Sequence, residues 1–175
     1  MSQRKPLQVA IVAAGHGGHL APFTNPHWEC WGFNTMWNMY PTIGPKSREG
    51  RTRFARWFEL HDRGYLTEEW RGDRDNSHAL WMRTWRDGPL YVQDPAQWPE
   101  LAVLKTLRRF PKERVEKLSP HGWYHCCSID WLIAFAILEG AKVIALYGVE
   151  QQHTAEPISS RACVEYWLGF AEAKG

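Results

Sequence analysis

Several groups of residues in this 175-residue chain are of types and spacings that do chemistry. Gly15-His16-Gly17-Gly18-His19 follows an apolar stretch. Three glycines in four positions let a backbone pass close to a phosphate with its N–H groups turned toward it. The same residues also make a tight surface loop with two solvated histidines, and the spacing is not GxGxxG. Glu59 and His61 stand two residues apart, so an extended backbone puts both on one side. A carboxylate and an imidazole so placed can orient a hydroxyl or exchange a proton with it. The plainer alternative is a strand-end ion pair of Glu59 with Arg56 or Arg63. Ser128 opens a long apolar run; a helix starting there offers a hydroxyl and free amides to a phosphate, or Ser128 simply caps it. Glu150 closes Gly148-Val149-Glu150 and is placed to hold a ligand. His121, His125, Cys126 and Cys127 fall within seven residues. Adjacent cysteines point in different directions and the spacing is not that of a zinc knuckle, so no metal site is expected.

Elements must position these groups. Leu7 to Ala14 (LQVAIVAA) is a continuous apolar run closed by Gly15, the pattern of a strand buried on both faces. Glu29 to Asn34 is a weaker strand interrupted by Gly32, and Phe54 to His61 is another strand ended by Asp62, Arg63 and Gly64. Residues 41–53, rich in Pro, Gly and charge, read as an exposed loop. Ser77 would cap a helix whose Ala79, Leu80, Trp81 and Trp85 share a face. Pro89 to Gln93 is a short strand. Leu101, Leu104 and Leu107 recur at threes, which favours a helix stopped by Pro111, and 111–119 is a surface helix or loop. Ser128 to Glu139 is apolar all round and bounded by Gly140, hence a buried helix. Lys142 to Tyr147 is a buried strand, and a helix from about Ser159 to Ala173 follows. This alternation is an α/β pattern: one domain over 1–175, with a mostly parallel sheet and helices on both faces. Ligands of such sheets bind outside the carboxyl ends of the strands, which is where Gly15–Gly18, His61 and Glu150 fall.

Composition excludes other classes. Apolar residues make up 44% and charged residues 23%, ordinary for a globular chain and wrong for a disordered one. No apolar run reaches the ~20 residues of a membrane span. A net charge of +2 gives no indication of nucleic acid as a partner. The four cysteines lack a disulfide-framework spacing and the polar start, Met1 to Gln8, has no signal-peptide core. Reduced thiols and a cytoplasmic location are therefore expected. The eleven tryptophans run from Trp28 to Trp167 without a repeat period. Most read as core fillers, with Trp28, Trp37 and Trp123 near the candidate ligand segments.

The blocks HWECWGFN (27–34), RWFELH (56–61), HCCSIDWLIAFAILEGAKVIALYGVE (125–150) and RACVEYWLGFA (161–171) resemble a family of Rossmann-like proteins of bacteriophages and their hosts. The resemblance spans nearly the whole chain. More remotely the chain is similar to 6-hydroxymethylpterin pyrophosphokinase-like and bacterial sialyltransferase-like proteins, in which the first loop and the Ser-led helix surround a nucleotide. The resemblance implies a Rossmann-like domain and a small-molecule nucleotide or nucleotide-sugar ligand, in a bacterial or phage-infected cell. It implicates Gly15, Gly17, Asn34, His61, Ser128 and Glu150; His16 and Gly18 complete the loop. The expected function is group transfer from an activated nucleotide, with His61 and Glu150 catalytic and Gly15, His16, Gly17, Gly18, Asn34 and Ser128 holding the nucleotide. The alternative is a non-catalytic binding protein that sequesters a nucleotide or a host protein. Two departures stand out: Glu156-Pro157 replaces an acidic–aromatic pair, and such proteins usually carry one more strand after the position of Gly175.

Overall fold

A computed structural model describes residues 6–38, 54–64, 77–150 and 158–175. The expected loop at 41–53 and the Glu156-Pro157 pair lie outside the described residues. Six strands form one parallel sheet with helices, the α/β architecture that the alternation predicts. They are β1 (Gln8–Val12), β2 (Trp28–Phe33), β3 (Phe54–Glu59), β4 (Leu90–Val92), β5 (Leu107–Arg109) and β6 (Val143–Tyr147). The α-helices described in full are α1 (Ser77–Met82), α2 (Lys112–Glu116), α3 (Ser128–Leu138) and α4 (Ile158–Lys174). Strand order is β5-β4-β3-β2-β1-β6. The chain therefore steps outward from β1 to β5 and returns on the other side of β1, which makes the β1/β6 pair the topological switch point. None of the described helices is long and apolar enough to cross a membrane.

By compactness the chain falls into two units, Met1–Cys30 with Pro111–Gly175, and Trp31–Phe110. In the first, β1 pairs with β6 from Gln8↔Val143 to Val12↔Tyr147. Val9, Ala10, Ile11 and Val12 are wholly buried, as are Leu132, Ile133, Ala134 and Ala136 of α3. Each larger side chain among them contributes roughly 1.5–3 kcal/mol by leaving water. α3 packs on α4, whose Cys163, Val164 and Trp167 are buried at i, i+1 and i+4.

The second unit is built on indoles. Trp57 is fully buried, with ring centroids 4.5 Å from Trp81, 5.2 Å from Phe54 and 5.6 Å from Trp85. Gly32, read from sequence as an interruption of β2, makes room for that indole: a Cβ there would lie 2.3 Å from Trp57 Cζ3. A strand glycine that admits a close neighbour is thus a packing feature.

Three local expectations are corrected. The helix expected over 99–110 is one 3-10 turn, Pro99–Leu101, followed by further i→i+3 turns and β5. Leu101 and Leu104 are buried, but their threefold spacing belongs to tight turns, the first of them started by Pro99. The VIALY strand expected to be buried is only half-buried, because β6 lies at the sheet edge and Val143 is exposed. Composition distinguishes a strand from a helix better than an edge from a centre. Leu80 does not share the core face of α1 with Ala79 and Trp81: it points outward, and Trp85 packs from beyond the end of the helix.

Candidate functional site

At the switch point the backbone itself builds the site. β1 runs out through Ala13, whose amide bonds the Tyr147 carbonyl, and Gly15 N–H bonds the Gly148 carbonyl at 2.8 Å. Gly17 (φ 85°) and Gly148 (φ 64°) adopt left-handed conformations that favour glycine. Gly148 cannot be replaced for a second reason, since a Cβ would meet Ala13 O at 2.6 Å and Gly15 O at 2.7 Å. Glu150 folds back so that its carboxylate accepts the His16 N–H at 2.6 Å. A Cβ at Gly15 would strike Glu150 Cγ and Cδ at 2.8 Å, so glycine at this position is what admits that side chain. The structure thus brings Gly15, His16 and Glu150 together. The amide of Gly18 is used inside the loop, bonding Gly15 O at 3.2 Å. His16 N–H is aimed at an anion, and the anion present is the protein's own exposed carboxylate.

A second constellation sits at the carboxyl end of β3. Glu59 is fully buried and accepts three hydrogen bonds: from His61 N–H at 3.0 Å, His61 Nδ1 at 2.8 Å and His78 Nε2 at 2.7 Å. His78 Nδ1 in turn accepts from Trp37 Nε1–H at 2.9 Å. An indole nitrogen only donates, so His78 Nδ1 carries the lone pair and Nε2 the proton. Every bond in this chain has its direction set. Burial pushes the Glu59 carboxyl up, but the hydrogen bonds from His61 and His78 outweigh it and hold the group at about 2. For His61, burial lowers the basicity and Glu59, with Asp62 behind it, raises it; the net direction is up. His61 is also held from behind, because the Gln93 side chain donates to the Leu60 carbonyl and Gln97 accepts Arg63 N–H at 3.1 Å. Its ring is 29% exposed, whereas Glu59 and His78 are closed off. With Nδ1–H committed to Glu59, Nε2 is the basic nitrogen, the arrangement of a carboxylate-oriented general base.

The ion pair with Arg56 or Arg63 does not form: the Arg63 guanidinium binds Glu100 at 2.8 Å, and Arg56 lies over the Trp31 ring at 4.9 Å. His78 and Trp37 complete the network, and the sequence signalled His78 only as a histidine on an aromatic helix. Trp37, near the candidate ligand segments in the sequence, donates to His78 and stacks on His78 and Trp81. Trp28 is half-buried and Trp123 is 72% exposed. Asn34 stands at the end of β2 with φ 52°, a left-handed conformation that asparagine tolerates better than most residues.

At α3 the expected Ser128 cap is replaced. Cys127 is the N-cap and Ser128 the first helical residue. Asp130, wholly buried, accepts Cys126 N–H at 2.8 Å, Cys127 N–H at 2.9 Å and His125 Nδ1 at 2.7 Å. The Cys126 and Cys127 amides ahead of the first turn are therefore taken by a fixed carboxylate, which would also repel a phosphate. The His125 ring lies between two indoles, 3.6 Å from Trp131 and 4.8 Å from Trp167, both nearly parallel to it. Its Nε2 is buried without a hydrogen-bond partner. Among the described residues no three His, Cys, Asp or Glu side chains gather as metal ligands.

Compared with known proteins, the chain matches no protein-family model, no curated protein and no solved structure.

Proposed function

We propose that the chain binds a nucleotide or nucleotide-sugar at the carboxyl ends of β1 and β6 and is a transferase acting on its activated group. The observation that carries this reading is the Glu150 carboxylate on the His16 amide at the switch point. Open parallel sheets take ligands at such a point, and glycine-built amides there accept anions. A phosphate oxygen would take the seat of the exposed Glu150 carboxylate, which swings out and turns to the sugar. Asp130 makes three bonds from full burial and gives no comparable seat, so Ser128 is not part of this proposal.

His61 is the candidate base: its Nε2 takes the proton of a hydroxyl group. The imidazolium that results is stabilised through Nδ1–H by the Glu59 carboxylate.

The test is thermal shift and product mass spectrometry on the purified chain with a panel of nucleotides and nucleotide-sugars. A stabilising ligand and a transfer product are expected, and His61→Ala should keep the shift while losing the product. Glu150→Gln should tighten nucleotide binding several-fold, because a charged competitor becomes a neutral one. No shift with any member of the panel would refute the nucleotide site. A shift without product would replace transfer by sequestration.

A further inference from the structure

Two thiols take no part in the hydrogen bonding of the two constellations first described. Cys126, in the loop before α3, and Cys163, on α4, place their Sγ atoms 2.9 Å apart. All four cysteines are free thiols in this structure. That separation is within about 1 Å of a bonded pair of sulfurs at ~2.05 Å, so bonding asks for little backbone movement. Two hydrogen bonds position the loop around Cys126, one from α4 and one to α3. Trp167, one turn beyond Cys163 on the same face, donates Nε1–H to the Tyr124 carbonyl at 3.0 Å. Asp130 fixes the Cys126 amide at 2.8 Å. Access is unequal, since Cys126 is exposed and Cys163 fully buried.

We infer that Cys126 and Cys163 form a dithiol site that small disulfides, of the glutathione type, oxidise to an intramolecular disulfide. Cys126 Sγ, as thiolate, attacks one sulfur of the small disulfide, whose S–S bond breaks and releases one thiol. Cys163 Sγ, giving up its proton to solvent, then attacks Cys126 Sγ and displaces the second thiol. The net change converts two protein thiols and one small disulfide into one protein disulfide and two small thiols. Order of reaction follows from environment. Burial, with the Cys126 thiol beside it, pushes Cys163 up to about 12, so it serves only in the second, intramolecular step. Cys127, the half-buried N-cap of α3, is disfavoured as the first attacker, because burial and the Asp130 charge push its thiol up to about 12 as well. The disulfide would tie the loop carrying His125 to the helix carrying Trp167, whose rings already stack.

The experiment is exposure of the reduced chain to oxidised glutathione, acid quench, alkylation, and intact-mass and peptide analysis. The expected result is a chain that has lost two alkylatable thiols, keeps no glutathione, and yields a single Cys126–Cys163 linked peptide that dithiothreitol releases. Closing a loop of this length should raise Tm by on the order of 5–10 °C. Cys163→Ser should stop at the first step and retain one glutathione on Cys126, and Cys126→Ser should take up none. The wild-type peptide map decides the matter even if a variant folds poorly. Cys126 left alkylatable at excess oxidant, a bond mapped to Cys127, or a bond between two chains would each overturn the assignment.

Discussion

Replacing Glu59 by Gln keeps the shape of a fully buried side chain and removes only its charge and one acceptor. The consequence can be worked from the hydrogen bonds. The carboxylate accepts from His61 N–H, His61 Nδ1 and His78 Nε2, and His78 cannot change tautomer without facing Trp37 Nε1–H with a second donor. If the new amide turns its oxygen to His61, its NH2 group meets the His78 N–H. If it turns its oxygen to His78, the NH2 meets the His61 backbone N–H. One buried donor is orphaned either way, at about 1–3 kcal/mol. The depressed carboxyl gives a second figure for the same hydrogen bonds. A carboxyl held at about 2 against an ordinary value of 4.5 stabilises the fold by about 3 kcal/mol, at 1.36 kcal/mol per pH unit. The two figures agree.

The pH dependence has a definite sign. A depressed carboxyl contributes stability that is present above about 4.5 and lost as pH falls toward 2. His61, raised by the same partner, contributes stability that is complete below 6.5 and lost as pH rises through its raised value. The advantage of wild type over Glu59→Gln should therefore be largest between about pH 4.5 and 6.5 and decline on both sides. Urea denaturation at pH 5.5 should show wild type ahead by about 3 kcal/mol, shrinking across the acid limb. Equal stability at pH 5.5, or a gap that stays constant from pH 6 to pH 2.5, would refute the ion-paired network.

Three further variants test helix capping and backbone packing. Asp130→Asn removes the charge from three hydrogen bonds at the start of α3 and should cost about 2–3 kcal/mol in urea denaturation, with loss of protection at the Cys126 and Cys127 amides in hydrogen exchange. Gly169→Ala, within α4 with nothing within 4 Å of the added Cβ, should stabilise by about 1 kcal/mol, whereas Gly122→Ala, whose Cβ would lie 1.6 Å from Glu116 O, should cost about 3 kcal/mol or more by the same measurement.

Strongly patterned elements were legible before any coordinates. The LQVAIVAA run, the apolar SIDWLIAFAILE helix bounded by Gly140, and the α/β alternation all follow from local burial pattern and period. Glu59 and His61 were also legible as a pair, because two residues along an extended chain share a side, and they do meet at 2.8 Å. Where the signal was short or ambiguous, local reading failed: three leucines at threes fit a helix and a succession of 3-10 turns equally well. Gly32 read as a defect because its neighbour, Trp57, is 25 residues away in sequence.

Long-range partners decided the rest. His78 and Trp37 join Glu59 across 19 and 22 residues, Glu150 reaches His16 across 134, and Cys163 meets Cys126 across 37. Residue types and local periodicity state what each segment would bury and what each side chain is able to donate or accept. They do not state which donor meets which acceptor, because that depends on strand order and helix packing, which cost nothing to permute in a one-dimensional pattern. The same limit covers β6, whose apolar residues specify a strand while its place at the sheet edge leaves them half-exposed. The chemistry available to this protein is thus written in its residues, and its direction, from Trp37 through His78 and Glu59 to His61, is set only when the fold closes.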